Sequence, residues 1–151
     1  MTDATIVGAG PAGLLTAILL AQTHHIRVNV YDKRFPTSES QSQGRSVNVT
    51  LCARGLAALK KAGLAHQILA MSVPLKGVHW HTTAYSARPF FQPYGSTLPL
   101  SGTTPHQLHS IKRNDLTLLL EQTATFLGVH LHFQHTLIHI DPATGTAIFL
   151  K

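Results

Sequence analysis

The chain has 151 residues, of which 44% are hydrophobic and only 12% are charged, and its formal net charge is +6. This composition excludes an intrinsically disordered chain, which combines low hydropathy with high charge, and the length suffices for a domain with its own core. The basic residues form no run of five, and no apolar stretch reaches the ~20 residues of a membrane span, so the sequence predicts neither a nucleic-acid partner nor a membrane segment.

The N-terminal part of the chain predicts a strand, a turn, a helix and a second strand. Residues 4–7 form a short apolar run that stops at a glycine, which is typical of a buried strand. Apolar residues then recur at helical spacing from Leu14 to about Gln22, and residues 26–31 alternate between apolar and polar side chains. Because a helix joins two strands within about 30 residues, we expect a parallel βαβ unit.

Three glycines between the first strand and the helix, Gly8, Gly10 and Gly13, have the spacing of a dinucleotide-binding turn. The first allows a sharp turn, the second lets a pyrophosphate approach the backbone, and the third lets helix and strand pack closely. Asp32 follows at the end of the second strand, where its carboxylate can accept hydrogen bonds from a ribose. Because a carboxylate repels a 2′-phosphate, Asp32 makes NADPH the poorer ligand for this turn. The spacing of the glycines does not distinguish FAD from NAD.

The remaining predicted elements are short helices and strands. Residues 33–45 are polar and contain Pro36, so we expect a loop there. Helices are expected at residues 54–62, closed by Gly63, at 65–71, and from Asn114 or Asp115 to near Gly128. Strands are expected at 46–51, 77–82, 88–92, 129–133, 137–140 and 146–150, the last two joined by a turn at 141–145.

One segment is much more specific than the glycine turn. Residues 44–55 read Gly-Arg-Ser-Val-Asn-Val-Thr-Leu-Cys-Ala-Arg-Gly and resemble a segment of the kynurenine 3-monooxygenases, which are flavin-dependent aromatic hydroxylases. The similarity continues at residues 58–60, 63–64, 67–68, 74, 93–95, 110–114 and 129–137. The resemblance implies an α/β, Rossmann-like FAD-binding βαβ fold of the aromatic-hydroxylase type, with an inserted β-rich substrate-side segment and truncated at its C-terminus.

The resemblance also implies a division of the chain into three segments. Residues 1–74 would form the FAD-binding βαβ unit and the helices after it, 75–108 the β-rich segment, and 109–151 an incomplete return to the FAD-binding domain. The Asp-Gly and Gly-Asp segments that this family carries later are not in this sequence. The low charged fraction fits a surface that further chain covers, so we expect the N-terminal part of a larger enzyme.

The resemblance assigns a role to individual residues along FAD. The pyrophosphate would lie at Gly8, Gly10, Ala12 and Gly13, and the adenosine ribose at Asp32 with Lys33 and Arg34 beside it. Arg45 and Thr50 would lie along the flavin, Arg113 near the ribityl phosphate and Leu137 near the adenine. Arginine suits a diphosphate because its guanidinium group binds phosphate oxygens in a bidentate manner.

The activity implied by the resemblance is the hydroxylation of L-kynurenine to 3-hydroxykynurenine, with NADPH reducing FAD and O₂ as co-substrate. Tyr94 matches the tyrosine that clamps the substrate carboxylate in this family. The matching arginine position holds Val78, and Lys76 or Arg88 are the cations that could replace it. No catalytic residue is assigned.

Several alternatives stay open at this stage. One alternative is a non-catalytic module that binds FAD or NAD, and another is an inactive remnant. A third, an NAD-dependent dehydrogenase, rests on the glycine turn alone. Eleven histidines include the pairs His79/His81 and His130/His132, but no cysteine or carboxylate completes a zinc-like set, so we expect no metal. The single cysteine, Cys52, cannot form an internal disulfide, which fits a reducing compartment, and we expect a cytoplasmic location.

Overall fold

The computed structural model describes residues 2–40, 47–81, 89–94 and 108–151, and the chain forms two compact units. The first unit contains the residues up to Val47 and those from Arg113 onward, and the second contains the residues from Asn48 to Lys112. The strands are β1 (Thr2–Val7), β2 (Ile26–Tyr31), β3 (Asn48–Leu51), β4 (Val73–Leu75), β5 (Gly77–Trp80), β6 (Phe90–Pro93), β7 (Leu108–Lys112), β8 (His130–His132), β9 (Thr136–Asp141) and β10 (Thr146–Leu150). The helices are α1 (Pro11–Ala21), α2 (Thr37–Ser40), α3 (Ala53–Lys61), α4 (Ala65–Met71) and α5 (Arg113–Phe126).

The first unit contains a parallel sheet in the order β1–β2–β8. Thr2 pairs with Ile26 and Val7 pairs with Tyr31, so β1 and β2 end side by side. The predicted βαβ unit is confirmed, and β1 begins two residues earlier than its sequence pattern indicated. The carboxyl ends of β1 and β2 therefore meet at one edge of the sheet, which is where open α/β folds bind ligands.

The core of the first unit is formed where α1 packs against β2 and α5. Leu14 and Ile18 of α1, Val28 of β2 and Leu120 of α5 are almost fully buried. Leu14 and Ile18 lie four residues apart and therefore on one face of the helix. This packing fixes the start of α1 close to the ends of the two strands.

The polar stretch that was expected to be a loop contains the short helix α2. The N–H of Glu39 donates to the carbonyl of Pro36 (3.0 Å), and the side chain of Thr37 donates to the carboxylate of Glu121 on α5 (2.6 Å). The prediction of a loop is therefore wrong at Thr37–Ser40, because a tertiary hydrogen bond stabilises a turn that the local composition does not favour.

The hairpin of β9 and β10 matches its sequence pattern closely. The two strands pair antiparallel, with an irregularity between Ile148 and Phe149. In the turn, Asp141 accepts hydrogen bonds from the N–H of Ala143 (2.9 Å) and from the hydroxyl of Thr144 (2.8 Å). Gly145 has a φ of +68°, which favours glycine, so the predicted turn chemistry is confirmed.

The second unit contains an antiparallel sheet in which β7 lies between β3 and β4, and a separate antiparallel pair of β5 and β6. The sequence pattern does not predict β4 or β7, because β4 has three residues and a proline, and β7 mixes polar residues with apolar ones. Gly63 has a φ of +78° after α3, as its predicted role requires. Parts of the predicted strands at 46–51, 77–82 and 88–92 lie outside the described residues.

Two further observations concern the described residues as a whole. None of their helices is long and apolar enough to cross a membrane. They also contain no group of three histidine, cysteine, aspartate or glutamate side chains arranged to hold a metal ion. The division into three segments that the resemblance implies stays a prediction.

Candidate cofactor site

The glycine turn connects β1 to α1 and leaves its backbone accessible. Gly8 has a φ of +105°, and its N–H donates to the carbonyl of Tyr31 (2.7 Å), which ties the turn to the end of β2. A Cβ at Gly13 would overlap the carbonyl oxygen of Gly8, whereas a Cβ at Gly10 would enter open space. Helix α1 begins at Pro11 without a side-chain cap. The turn therefore presents backbone and the start of a helix, the combination that binds phosphate groups.

Asp32 lies directly after β2, beside the glycine turn, and its side chain is 5% exposed. Its carboxylate accepts hydrogen bonds from the N–H of Ala9 (2.7 Å), the N–H of Arg34 (2.8 Å), and Nε and Nη2 of Arg34 (2.9 and 2.7 Å). Burial opposes the charge of Asp32, but the hydrogen bonds and the charge of Arg34 outweigh it and lower its pKa to about 2. Asp32 is therefore a fixed anion at neutral pH.

The turn between β8 and β9 holds the backbone around Asp32 in place. The N–H of Asp32 donates to the carbonyl of His132 (2.9 Å), and the N–H of His135 donates to the carbonyl of Asp32 (2.9 Å). Gln134, at a φ of +59°, donates its N–H to the carbonyl of Arg34 (3.1 Å). The carbonyl of Phe133 accepts a hydrogen bond from Nδ1 of His135 (2.7 Å), which closes this turn.

The first of two cavities at this edge, which we call the Leu137 cavity, has a volume of about 380 Å³. It is lined by Val7, Gly8, Tyr31, Asp32, Lys33, Arg34, His135, Thr136 and Leu137. The ring of Tyr31, which lines the cavity, stacks on the rings of His132 (centroid distance 4.4 Å) and Phe149 (4.0 Å) and is held in place by them. The cavity thus combines a buried carboxylate with apolar and aromatic walls, which suits a nucleoside.

The second cavity, which we call the Glu121 cavity, has a volume of about 320 Å³. It is lined by Ala9, Arg34, Phe35, Thr37, Val47, Arg113, Asn114, Thr117, Glu121 and Phe133. Glu121 is buried and accepts hydrogen bonds from the N–H (3.3 Å) and the hydroxyl (2.6 Å) of Thr37. Burial raises the pKa of Glu121 and outweighs these hydrogen bonds. Arg34 lines both cavities, and two arginines give the second one a positive character.

The structure brings together most of the residues that the sequence and the resemblance assigned to FAD. Gly8, Asp32, Lys33, Arg34 and Leu137 line one cavity, and Arg113 lines the other. Gly10, Ala12 and Gly13 form the glycine turn and the first helical turn. Thr50 in β3 and Tyr94 after β6 belong to the second unit, and Arg45 lies outside the described residues.

Some residues of the site were not assigned from the sequence. Glu121 and Thr37 form a buried pair in the Glu121 cavity, and His135 and Thr136 line the Leu137 cavity. A signal for Glu121 exists, because Thr117, Glu121 and Ala124 share the helical spacing of the buried face of α5. Its partner Thr37 lies 84 positions away, and local spacing cannot reveal such a contact.

Known families and proteins are similar to this chain over most of its length. A family model described as an FAD binding domain matches residues 1–150. The chain is similar to the kynurenine 3-monooxygenase of Salinispora tropica, with 37% identity over 93% of this chain and 30% of that protein. It is also similar to the kynurenine 3-monooxygenase of Sus scrofa, with 31% identity over 99% of this chain and 30% of that protein. The chain thus spans about 30% of the length of these curated relatives.

Solved structures share the fold. The flavin-dependent monooxygenase PieE, in complex with FAD and substrate, has a TM-score of 0.71 at 18% identity over 98% of this chain and 28% of that chain. The p-nitrophenol 4-monooxygenase PnpA of Pseudomonas putida has a TM-score of 0.70 at 20% identity over 93% of this chain and 34% of that chain. The predicted α/β fold of the FAD-binding type is therefore confirmed.

Proposed function

From the premise that this chain belongs to the family of FAD binding domains, we propose that it binds FAD through its first unit and serves an NADPH-using aromatic monooxygenase. The observation that carries this proposal is the position of Asp32, a buried carboxylate fixed beside an open glycine turn at the carboxyl ends of two parallel strands. A ribose and a pyrophosphate need these two groups side by side.

The residues of the site fit FAD. A Cβ at Gly10 would enter open space at the start of α1, so the bare backbone leaves room for a pyrophosphate. Asp32 would accept the ribose hydroxyls, and Leu137 and Tyr31 give the adenine an apolar surface. Arg113, together with Arg45, would offer guanidinium groups to the phosphate side of the cofactor. Bound FAD would supply the redox chemistry, accepting electrons from NADPH and activating O₂.

A kynurenine-like aromatic acid is the substrate that we propose for the complete enzyme. In the second unit, the N–H of Tyr94 donates to the carbonyl of Lys76 (3.0 Å), so the tyrosine, just after β6, and a cation, just before β5, are neighbours. Val78 is half-buried in β5 and has no charge to offer a carboxylate. Lys76 is therefore the cation that we propose in place of the family's arginine, and as a point charge it holds a carboxylate less specifically. A cytoplasmic location belongs to the same proposal.

Titration of the purified chain with FAD, followed by flavin fluorescence, tests the cofactor. We expect saturable quenching with wild-type chain and at least tenfold weaker binding after Asp32→Asn. The variant Asp3→Asn is the matched control, because Asp3 is an exposed aspartate that pairs with Arg27 on the same sheet. Equal FAD affinity in all three proteins, or none in the wild type, would refute the proposal.

Consumption of NADPH tests turnover. A chain that holds FAD and consumes NADPH faster when kynurenine is added supports the monooxygenase role and its substrate. A chain that holds FAD without any NADPH consumption supports the second candidate, a binding module without turnover. The observation that favours this second candidate is Val78, which occupies the position of the family's substrate-binding arginine and offers no charge to a carboxylate.

A further inference from the structure

The carboxylate of Asp32 is fully occupied by donors from this chain. Oδ1 accepts hydrogen bonds from the N–H (2.8 Å) and Nε (2.9 Å) of Arg34, and Oδ2 accepts them from the N–H of Ala9 (2.7 Å) and Nη2 of Arg34 (2.7 Å). A carboxylate has about four acceptor positions, and these four donors fill them. A ribose hydroxyl can therefore bind Asp32 only when one of these donors leaves.

The guanidinium group of Arg34 is the donor that can leave. Ala9 is buried in the turn between β1 and α1, and the carbonyl of Arg34 accepts a hydrogen bond from Gln134, so both main-chain donors are fixed. The side chain of Arg34, in contrast, is 52% exposed. When this side chain leaves, Asp32 loses two charge-assisted hydrogen bonds. A ribose hydroxyl is neutral and makes only weaker hydrogen bonds in their place.

The Glu121 cavity gives the released guanidinium group a place to go. Arg34 lines this cavity as well as the Leu137 cavity, and the negative charge of Glu121 attracts it from that side. Ala9 of the glycine turn lines the same space, so a phosphate held at the turn would lie near this arginine. A ligand with phosphate groups can thus offer Arg34 a new anionic partner, whereas a nucleoside cannot.

We propose that Arg34 is a specificity-determining residue that selects adenosine ligands carrying a diphosphate. Its guanidinium group occupies Asp32 in the free protein and moves to phosphate oxygens when a ribose takes its place. This inference rests on the proposed FAD site and adds the means by which the site rejects free nucleosides. Adenosine alone must break the pair of Arg34 and Asp32 without compensation, whereas ADP, the matching part of FAD, compensates for it.

The test compares adenosine with ADP on the full 151-residue chain, using NMR chemical-shift titration to obtain both dissociation constants. We expect Arg34→Met to bind adenosine at least threefold more tightly than wild type and ADP at least threefold more weakly. The ratio of the two affinities should therefore fall about tenfold. Arg34→Lys should give an intermediate ratio, because lysine keeps the charge but not the bidentate contact.

Arg27→Met is the matched control, because Arg27 also holds an aspartate, Asp3, in a bidentate contact but lines neither of the two cavities. We expect it to change the affinities for adenosine and for ADP less than twofold. The urea unfolding midpoint of each variant shows whether it is folded. An Arg34→Met protein that is folded but gains no affinity for adenosine overturns the inference.

Two outcomes separate this inference from the proposed function. If the wild-type chain binds neither FAD nor ADP, the proposed function fails, whatever Arg34 does. If it binds both but Arg34→Met weakens adenosine and ADP equally, the FAD site stands and the selective role of Arg34 is wrong. Tighter binding of 2′,5′-ADP than of ADP, lost in Arg34→Met, would assign Arg34 to a 2′-phosphate and also overturn the inference.

Discussion

The carboxylate of Asp32 accepts a hydrogen bond from the main-chain N–H of Ala9 across 23 positions of the sequence, at a distance of 2.7 Å. This contact joins the end of β2 to the turn after β1. It places the proposed ribose acceptor directly beside the proposed pyrophosphate turn. The two halves of the site are thus held together by a bond of the protein itself, before any ligand binds.

Asp32→Asn should therefore reduce stability as well as FAD affinity. A pKa lowered from its ordinary value of 3.8 to about 2 corresponds to about 2 kcal/mol of stability at neutral pH. Because the lowered pKa belongs to the folded state, this contribution is complete at a pH above the pKa of Asp32 in the unfolded chain. It is lost as the pH falls through the folded-state pKa of about 2. Urea unfolding at a series of pH values should show the difference between wild type and variant shrinking below pH 4. A difference that stays constant down to pH 2 would contradict this assignment.

Substitution by alanine should destabilise the protein at one glycine of this turn and leave its stability almost unchanged at another. In Gly13→Ala the new Cβ would overlap the carbonyl oxygen of Gly8, so we expect a loss of about 3 kcal/mol or complete failure to fold. In Gly10→Ala the Cβ enters open space at a φ of −80°, so stability should change by less than about 1 kcal/mol.

The FAD affinity of Gly10→Ala tests whether this turn holds the pyrophosphate. Gly10→Ala should remain folded in circular dichroism and still bind FAD at least tenfold more weakly, because its Cβ takes the space proposed for the pyrophosphate. A folded Gly10→Ala protein with wild-type FAD affinity would place the pyrophosphate elsewhere.

Sequence patterns predicted the part of the site that is built from local spacing. Gly8, Gly13 and Asp32 belong to one βαβ unit, in which hydrophobic periodicity fixes each element and the glycines have few alternative roles. The resemblance brought Arg113 and Leu137 to the same site, and both line its cavities.

The parts that were missed depend on contacts between distant segments. Strand β7 pairs with β3 and β4 on either side, and neither β4 nor β7 has a strong alternating pattern of its own. The pair of Thr37 and Glu121 likewise joins a polar stretch to a helix 84 positions away. Periodicity within one segment carries no information about such partners, which tertiary packing alone selects.

The buried pair of Glu121 and Thr37 should make stability depend on pH above the ordinary glutamate pKa of 4.5. Burial raises the pKa of Glu121 in the folded state. The stability that protonated Glu121 contributes is therefore complete at a pH below its pKa in the unfolded chain. It is lost as the pH rises through its pKa in the folded protein. Glu121→Gln should remove this loss, and Glu39→Gln, on the exposed side of α2, should not. The measurement is the urea unfolding midpoint of wild type, Glu121→Gln and Glu39→Gln between pH 4 and 8. An equal fall of the midpoint in all three proteins would refute the prediction.

Thr37→Val tests the same pair from its other side. The substitution preserves the shape of the side chain but removes the hydroxyl donor from a buried carboxylate oxygen, which costs about 1–3 kcal/mol. Ser38→Ala, on the same short helix and exposed, is the control and should change stability by less than about 0.5 kcal/mol. A Thr37→Val protein as stable as wild type would mean that Glu121 finds its hydrogen bonds elsewhere.

Arg113→Met should weaken FAD binding without affecting the fold. The hydrogen bonds that start α5 use the backbone of Arg113, since its N–H donates to the carbonyl of Val47 (2.9 Å) and its carbonyl accepts from the hydroxyl of Thr117 (2.8 Å). The guanidinium group is exposed and takes no part in these two hydrogen bonds, so it can bind a phosphate, and its loss should reduce FAD affinity about tenfold. Lys112→Met removes an equal, exposed charge next to it and should reduce the affinity less than twofold.

The proposed contact of Arg113 is ionic, so its strength should depend on salt. Raising the salt concentration should reduce the difference in FAD affinity between wild type and Arg113→Met. Equal effects of the two variants would reduce Arg113 to a contributor of net charge, with no specific contact to the cofactor.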